Sequence, residues 1–182
     1  MSVFVRSKKF LFSVVAVAVV IGGSAGVRGA FAANQTDTAD ATSLVEDYSY
    51  PGAAQILATQ NVKLISGDGH ILLADCTTPP VGDIGLLQVR TSEEQIGAER
   101  KGRVCFRLNG PKGLLSLEIP GVYEIRGDGL RTGTGHTVTA QLTNSLGDNL
   151  TVDVDPDGST QVGIGIHPED PPTTLLRLQV TG

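Results

Sequence analysis

The chain has 182 residues with no Trp, one Met and only 4% aromatic residues. Its core must therefore be built from Val, Ile, Leu and Ala. Charged residues make up 18%, against 40% hydrophobic, which excludes a disordered tail protein. The 23 Gly and 9 Pro follow no Gly-x-y period, which excludes a collagen-like chain. A single long apolar run, near the N-terminus, excludes a polytopic membrane protein. After residue 32 the chain has no Gly-x-Ser-x-Gly, no His-Glu-x-x-His and no Cys-x-x-Cys. The Gly127–Gly135 cluster lacks the Lys of a phosphate-binding loop and reads as a flexible loop.

Acid is absent from residues 1–32, which hold Arg6, Lys8, Lys9 and Arg28. The rest keeps 10 of the 14 basic residues and all 19 acidic ones, a net charge of −9 where the whole chain has −5. The basic start, the apolar Phe10–Ile21 run and the small-x-small Ala30-Phe31-Ala32 read as a signal peptide over 1–32, cleaved after Ala32. The run is shorter than the roughly 20 residues of a spanning helix. No Cys follows it to carry a lipid and no Arg-Arg pair marks the twin-arginine route. An uncleaved anchor is the alternative. An exported remainder of about 150 residues is enough for one core. Its negative charge argues against nucleic acid and anionic membrane surfaces and fits an extracellular protein with no membrane span after signal removal.

Cysteine occurs only as Cys76 and Cys105. Outside the cytoplasm a lone pair reads as a disulfide, and neither residue has a neighbouring His or Cys to make a metal site. Closing a loop of about 30 residues should stabilise by roughly 3–4 kcal/mol.

Residues 33–50 are polar and read as a flexible lead-in. Pro51–Gln60 is the one expected helix, with Ser49 as a possible cap and Ala53, Ile56, Leu57 and Gln60 on one face. From Asn61 onward short apolar-alternating segments are separated by Gly, Pro and Asp. Val62–Ile65 and His70–Cys76 read as a hairpin across Ser66-Gly67-Asp68-Gly69. Leu114–Ile119 and Val122–Arg126 read as two strands broken at Pro120-Gly121. Asn149–Asp153 and Gln161–Ile166 read as strands flanking an Asp-Pro-Asp-Gly turn. The expected fold over 51–182 is all-β: an antiparallel sandwich, or partly open barrel, of about eight to ten short strands with one short N-terminal helix. Alternation places Leu87, Val89, Val104, Phe106, Leu108, Leu115, Leu117, Ile119, Tyr123 and Ile125 inside. The same applies to Val138, Ala140, Leu142, Val152, Val154, Val162, Ile164, Leu176, Leu178 and Val180. Cys105 falls out of phase, with Arg103 and Arg107 on the opposite face, so the disulfide should tie the sheet exterior to whatever covers it. That phase, with no Trp beside it, argues against an immunoglobulin domain.

Asp153, Asp155 and Asp157 followed by Gly158 match the opening of a calcium-binding loop, since alternate carboxylates on a turning backbone suit a hard cation. The twelfth position is Ile164 and not Glu, and the flanks look like strands, so a plain turn is the competing reading. Arg126-Gly127-Asp128 spells an integrin tripeptide in a loop, where Gly-Asp-Gly is also ordinary turn chemistry. His70, His136 and His167 each stand beside Gly or Pro. They read as edge histidines unless the fold supplies a carboxylate and a hydroxyl. Gln88, Arg90, Arg103, Arg107, Glu124, Arg126, Arg177 and Gln179 should face outward, either solvating the sheet or meeting an anionic partner.

The strings Gly67-Asp-Gly-His-Ile-Leu-Leu-Ala-Asp-Cys76, Val104-Cys-Phe-Arg-Leu-Asn109 and Leu114-Leu-Ser-Leu-Glu-Ile-Pro-Gly-Val-Tyr-Glu-Ile125 resemble uncharacterised small secreted proteins of actinobacteria. The likeness spans about residues 51–140. It implies an exported β-rich domain with one Cys pair and brings no catalytic residue with it. The expected function is a non-catalytic binding or envelope-associated module with an extracellular or cell-envelope ligand. The alternatives are a secreted hydrolase using His70 or His136 with a neighbouring Asp, and a calcium-stabilised module.

Overall fold

A computed structural model describes residues 48–182. The expected signal peptide over 1–32, its expected cleavage site and most of the expected lead-in lie outside the described residues. Residues 48–50, read above as the end of the lead-in, belong to the fold. Ser49 bridges to Ser66, and the buried Tyr50 accepts a hydrogen bond on its hydroxyl from Leu73 N at 2.7 Å.

The architecture follows from one long strand. Strand β5 (Gly113–Arg126) carries Pro120-Gly121 in its middle and continues through it, so the two expected strands are one. The pair makes a bulge instead of a break. Gly121 takes φ +67°, a conformation that costs other residues about 1–2 kcal/mol. Beyond it Val122 and not Tyr123 points inward.

Each half of β5 is the centre of its own layer, and every strand pairing is antiparallel. The N-terminal half pairs with β1 (Lys63–Gly67) on one side. On the other it pairs with β9 (Thr173–Val180), followed outward by β6 (Val138–Asn144) and β7 (Asn149–Val154). The C-terminal half pairs with β8 (Ser159–Gln161) on one side. On the other it pairs with β3 (Leu87–Thr91), then β4 (Arg103–Leu108) and β2 (Ile71–Ala74). The result is all-β and sandwich-like, with nine strands and one short α-helix, α1 (Ala53–Gln60), among the described residues. Inward residues of both layers, among them Leu115, Leu117 and Leu178 of the first and Leu87, Val89 and Phe106 of the second, share one core cluster. Each such fully buried aliphatic or aromatic side chain contributes about 1.5–3 kcal/mol.

This topology corrects two expected hairpins. Strands β1 and β2 do not pair; β1 bonds to β5 and β2 to β4, so Asp68-Gly69 carries the chain from one layer to the other. Likewise β7 bonds to β6 and β8 to β5, so Asp155–Gly158 is a crossing and not a hairpin turn. The expected strand Gln161–Ile166 ends at Gln161, and Gly163–Gly165 is a single 3-10 turn.

The expected inward set holds except where the phase slips. In β9, Gln141 pairs with Arg177 and Leu142 with Leu175, so Leu176 is bulged out and Leu175 takes its place in the core. Tyr123, Val152 and Ile164 are only half-buried. The helix packs Ala53 and Ile56 on the core and leaves Leu57 exposed. Its first turn is preceded by Gly52, with no side-chain cap from Ser49. No helix among the described residues is long and apolar enough to cross a membrane.

Candidate functional site

Cys76 and Cys105 form the disulfide expected for them, with Cα atoms 5.2 Å apart. Cys105 faces away from Val104, Phe106 and Leu108, as the alternation predicts. It is nevertheless only 1% exposed: Cys76, Leu73, Ala98 and Glu99 stand around it. The bridge joins β4 to the segment that leaves β2, its neighbour in the sheet.

The three histidines separate clearly in their surroundings. His70 and His167 have side chains 54% and 67% exposed, each 3.4 Å from an exposed Asp, Asp68 and Asp170. Burial pushes the Asp68 carboxyl up, but N–H bonds from His70 and Leu114 and the nearby His70 ring outweigh it, and the group lies below its ordinary value. His136 is different. Its Nδ1 lies 2.7 Å from Oδ2 of Asp128, whose side chain is fully buried, and its own backbone N–H donates to Asp128 Oδ1 at 2.8 Å. A carboxylate only accepts, so Nδ1 carries a proton and the ring is fixed in one orientation. Nε2 has no partner among the described residues.

Asp128 is held there by three converging loops. Its carbonyl accepts from Gly85 N, Gly129 N donates to Pro156 O and Gly127 N to Gly158 O. The approach is close enough that a Cβ on Gly127 would lie 2.2 Å from Asp155 O. Within the glycine-rich loop read as flexible, residues 127–129 are buried and Gly127 and Gly129 leave no room for a Cβ, while residues 130–133 are exposed. The same burial disposes of the Arg126-Gly127-Asp128 tripeptide as a receptor ligand, because its carboxylate is sealed inside and engaged by His136.

The calcium candidates are placed separately. Asp153 lies on β7 and accepts from Thr139 Oγ1 at 3.1 Å. Asp155 caps its own turn by accepting from Asp157 N at 3.3 Å, and Asp157 accepts from Gly133 N. Among the described residues no group of three or more His, Cys, Asp or Glu is arranged to hold a metal ion. The Arg residues also divide. Arg90 is 3.6 Å from Glu124 and Arg103 is 2.8 Å from Glu99, whereas Arg107, Arg126 and Arg177 have no acidic partner among the described residues.

His136 stands on the wall shared by two hollows. One, of about 370 Å³, is lined by Pro79, Val81, Ile84, Gly85, Arg107, Leu108, Asn109, Gly110 and His136. The other, of about 410 Å³, shares Gly110 and His136 and adds Pro111, Gly135, Thr137, Val180, Thr181 and Gly182. The first has the mixture of ligand clefts: apolar walls with a few convergent polar groups. A larger hollow of about 480 Å³ by Lys112 and Arg177 lies along strand exteriors and has no buried polar anchor. No Ser, Thr or Cys lines the 370 Å³ cleft, whereas the hydroxyl-bearing Thr137 and Thr181 line the other hollow that His136 borders. Asp128 carried no sequence signal of this role beyond standing eight residues before a His across a glycine loop. For Arg107 the alternation predicts only an outward side chain.

The sequence matches no known family model and no curated protein.

Proposed function

We propose that the chain is an exported, disulfide-stapled β-sandwich module that acts by binding, and that the cleft beside His136 is its binding site. One observation carries this reading: a 370 Å³ cleft that combines apolar Pro79, Val81, Ile84 and Leu108 with Arg107, Asn109 and an imidazole fixed by a buried carboxylate. Export rests on the basic start, the apolar run and the Ala30-Phe31-Ala32 site, and a disulfide fits an oxidising compartment. The likeness to small secreted actinobacterial proteins belongs to the same reading.

The test has two arms. Expressed from its full sequence in a secreting host, the protein should be recovered from the medium beginning at Ala33; retention of residues 1–32 overturns the cleavage. A thermal-shift screen of the purified chain against a small-molecule library should give hits that fail on His136→Asn. Asn places an amide N–H where Nδ1 was, keeping the bond to Asp128 while removing Nε2. Hits indifferent to that change place binding elsewhere.

A second reading, a secreted hydrolase, is favoured by the His136–Asp128 pair itself. Turnover of p-nitrophenyl esters that vanishes in His136→Asn supports it over binding.

A further inference from the structure

We propose that the cleft beside His136 takes a small amphiphilic carboxylate, its acid group at Arg107 and His136 and its apolar body along Val81, Ile84 and Leu108. The inference rests on the binding reading and adds the ligand's chemical class. It begins from charge. The chain after residue 32 has net −9, yet the cleft lining contains an Arg and a His and no Asp or Glu. The Asp128 carboxylate is committed to His136 and does not line the cleft.

Arg90, Arg103 and Arg131 each have an acidic partner, in Glu124, Glu99 and Asp83. Arg107 is half-buried, pairs across the sheet with Leu72, and has no acid among the described residues. A guanidinium in such a position is poorly compensated and geometrically suited to a carboxylate fork. His136 adds an Nε2 donor when protonated and Asn109 an amide, so polar donors meet one anionic group while Pro79, Val81, Ile84 and Leu108 offer it an apolar wall. The Arg107 guanidinium, with no Asp or Glu on the cleft lining, favours a monoanion over a neutral or cationic guest. The volume limits that guest to a small molecule.

The experiment is an ¹⁵N-correlated NMR titration of the chain expressed from its full sequence, with octanoate, octanamide and octylamine as probes. The expected result is saturable shifts from octanoate at Ile84, Gly85, Asn109, Gly110 and His136, with octanamide at least about tenfold weaker. Arg107→Gln should weaken octanoate by at least about tenfold and leave octanamide unchanged, and Arg107→Lys should restore part of the loss. A dispersed spectrum of each variant shows that it is folded. Octanamide or octylamine binding as well as octanoate, or an Arg107→Gln variant that binds octanoate normally, overturns the carboxylate class while leaving the binding reading intact. No cleft shift from octanoate also overturns it, and the library screen described above then decides the binding reading separately.

Discussion

Removing the Cys76–Cys105 bridge should cost the protein a large part of its stability. The bonded residues are 29 apart in sequence. Closing a loop of that length in the unfolded chain lowers its entropy by about 12 cal/mol/K, or about 3.5 kcal/mol at 25 °C. The native state gives little back. Cys105 is 1% exposed and its cross-strand neighbours Ala74 and Gln88 are held by backbone pairing. A Cys105→Ala, Cys76→Ser double variant therefore keeps the sheet and loses the constraint. Domains of this size are typically stable by only about 5–15 kcal/mol, so the loss should be obvious. With a urea slope near about 1.5 kcal/mol/M the unfolding midpoint should fall by about 2 M. Fitted free energies should be compared as well as midpoints, because the uncrosslinked chain exposes more surface when unfolded. A loss under about 1 kcal/mol would refute the reasoning and mean that the bridge decorates an edge the sheet already holds.

Three further outcomes follow from named contacts. Gly121→Ala must place a Cβ at φ +67° and 2.6 Å from Ser92 Oγ, so urea unfolding should show a loss of about 2–4 kcal/mol; a neutral change would mean that the bend in β5 does not depend on that residue. His136→Ala leaves the buried Asp128 carboxylate with only a backbone N–H and should cost about 3 kcal/mol, whereas Asp128→Asn, which removes the charge, should cost about 1 kcal/mol. The reverse order would show that the carboxylate is not the buried charge of the pair. The melting temperature should be the same in calcium and in chelator, because Asp153, Asp155 and Asp157 each serve a separate hydrogen bond; a calcium-induced rise above about 3 °C would assign them a site.

Much of the fold is legible in the chain because alternation and turn residues are local signals. They delimit most of the strands, and they place Cys105 on the face away from Phe106. What they do not carry is pairing. An Asp-Gly or Asp-Pro-Asp-Gly stretch has the same local chemistry whether it closes a hairpin or hands the chain to another layer, and the backbone partners of β1 and β8 lie about 50 and 35 residues away. The phase errors at Tyr123 and Leu176 have one cause: each stands at a bulge, where Val122 and Leu175 take the inward place while Ile125, Leu178 and Val180 keep theirs. The candidate site was least visible. Asp128 looks like turn chemistry until Gly127 and Gly129 are seen pressed against the Asp155–Pro156 backbone, and Arg107 looks like surface until its lack of an acidic partner is known.

The central claim is that His136, held from behind by a buried carboxylate, forms the working edge of a ligand cleft. The most direct test is ¹⁵N NMR of the histidine rings before and after adding a hit from the library screen. The account predicts that His136 carries its proton on Nδ1 and that its Nε2 signal moves on binding, while the signals of exposed His70 and His167 stay in place. An unmoved Nε2 with a ligand demonstrably bound, or a His136 ring that averages freely between its tautomers, would contradict it.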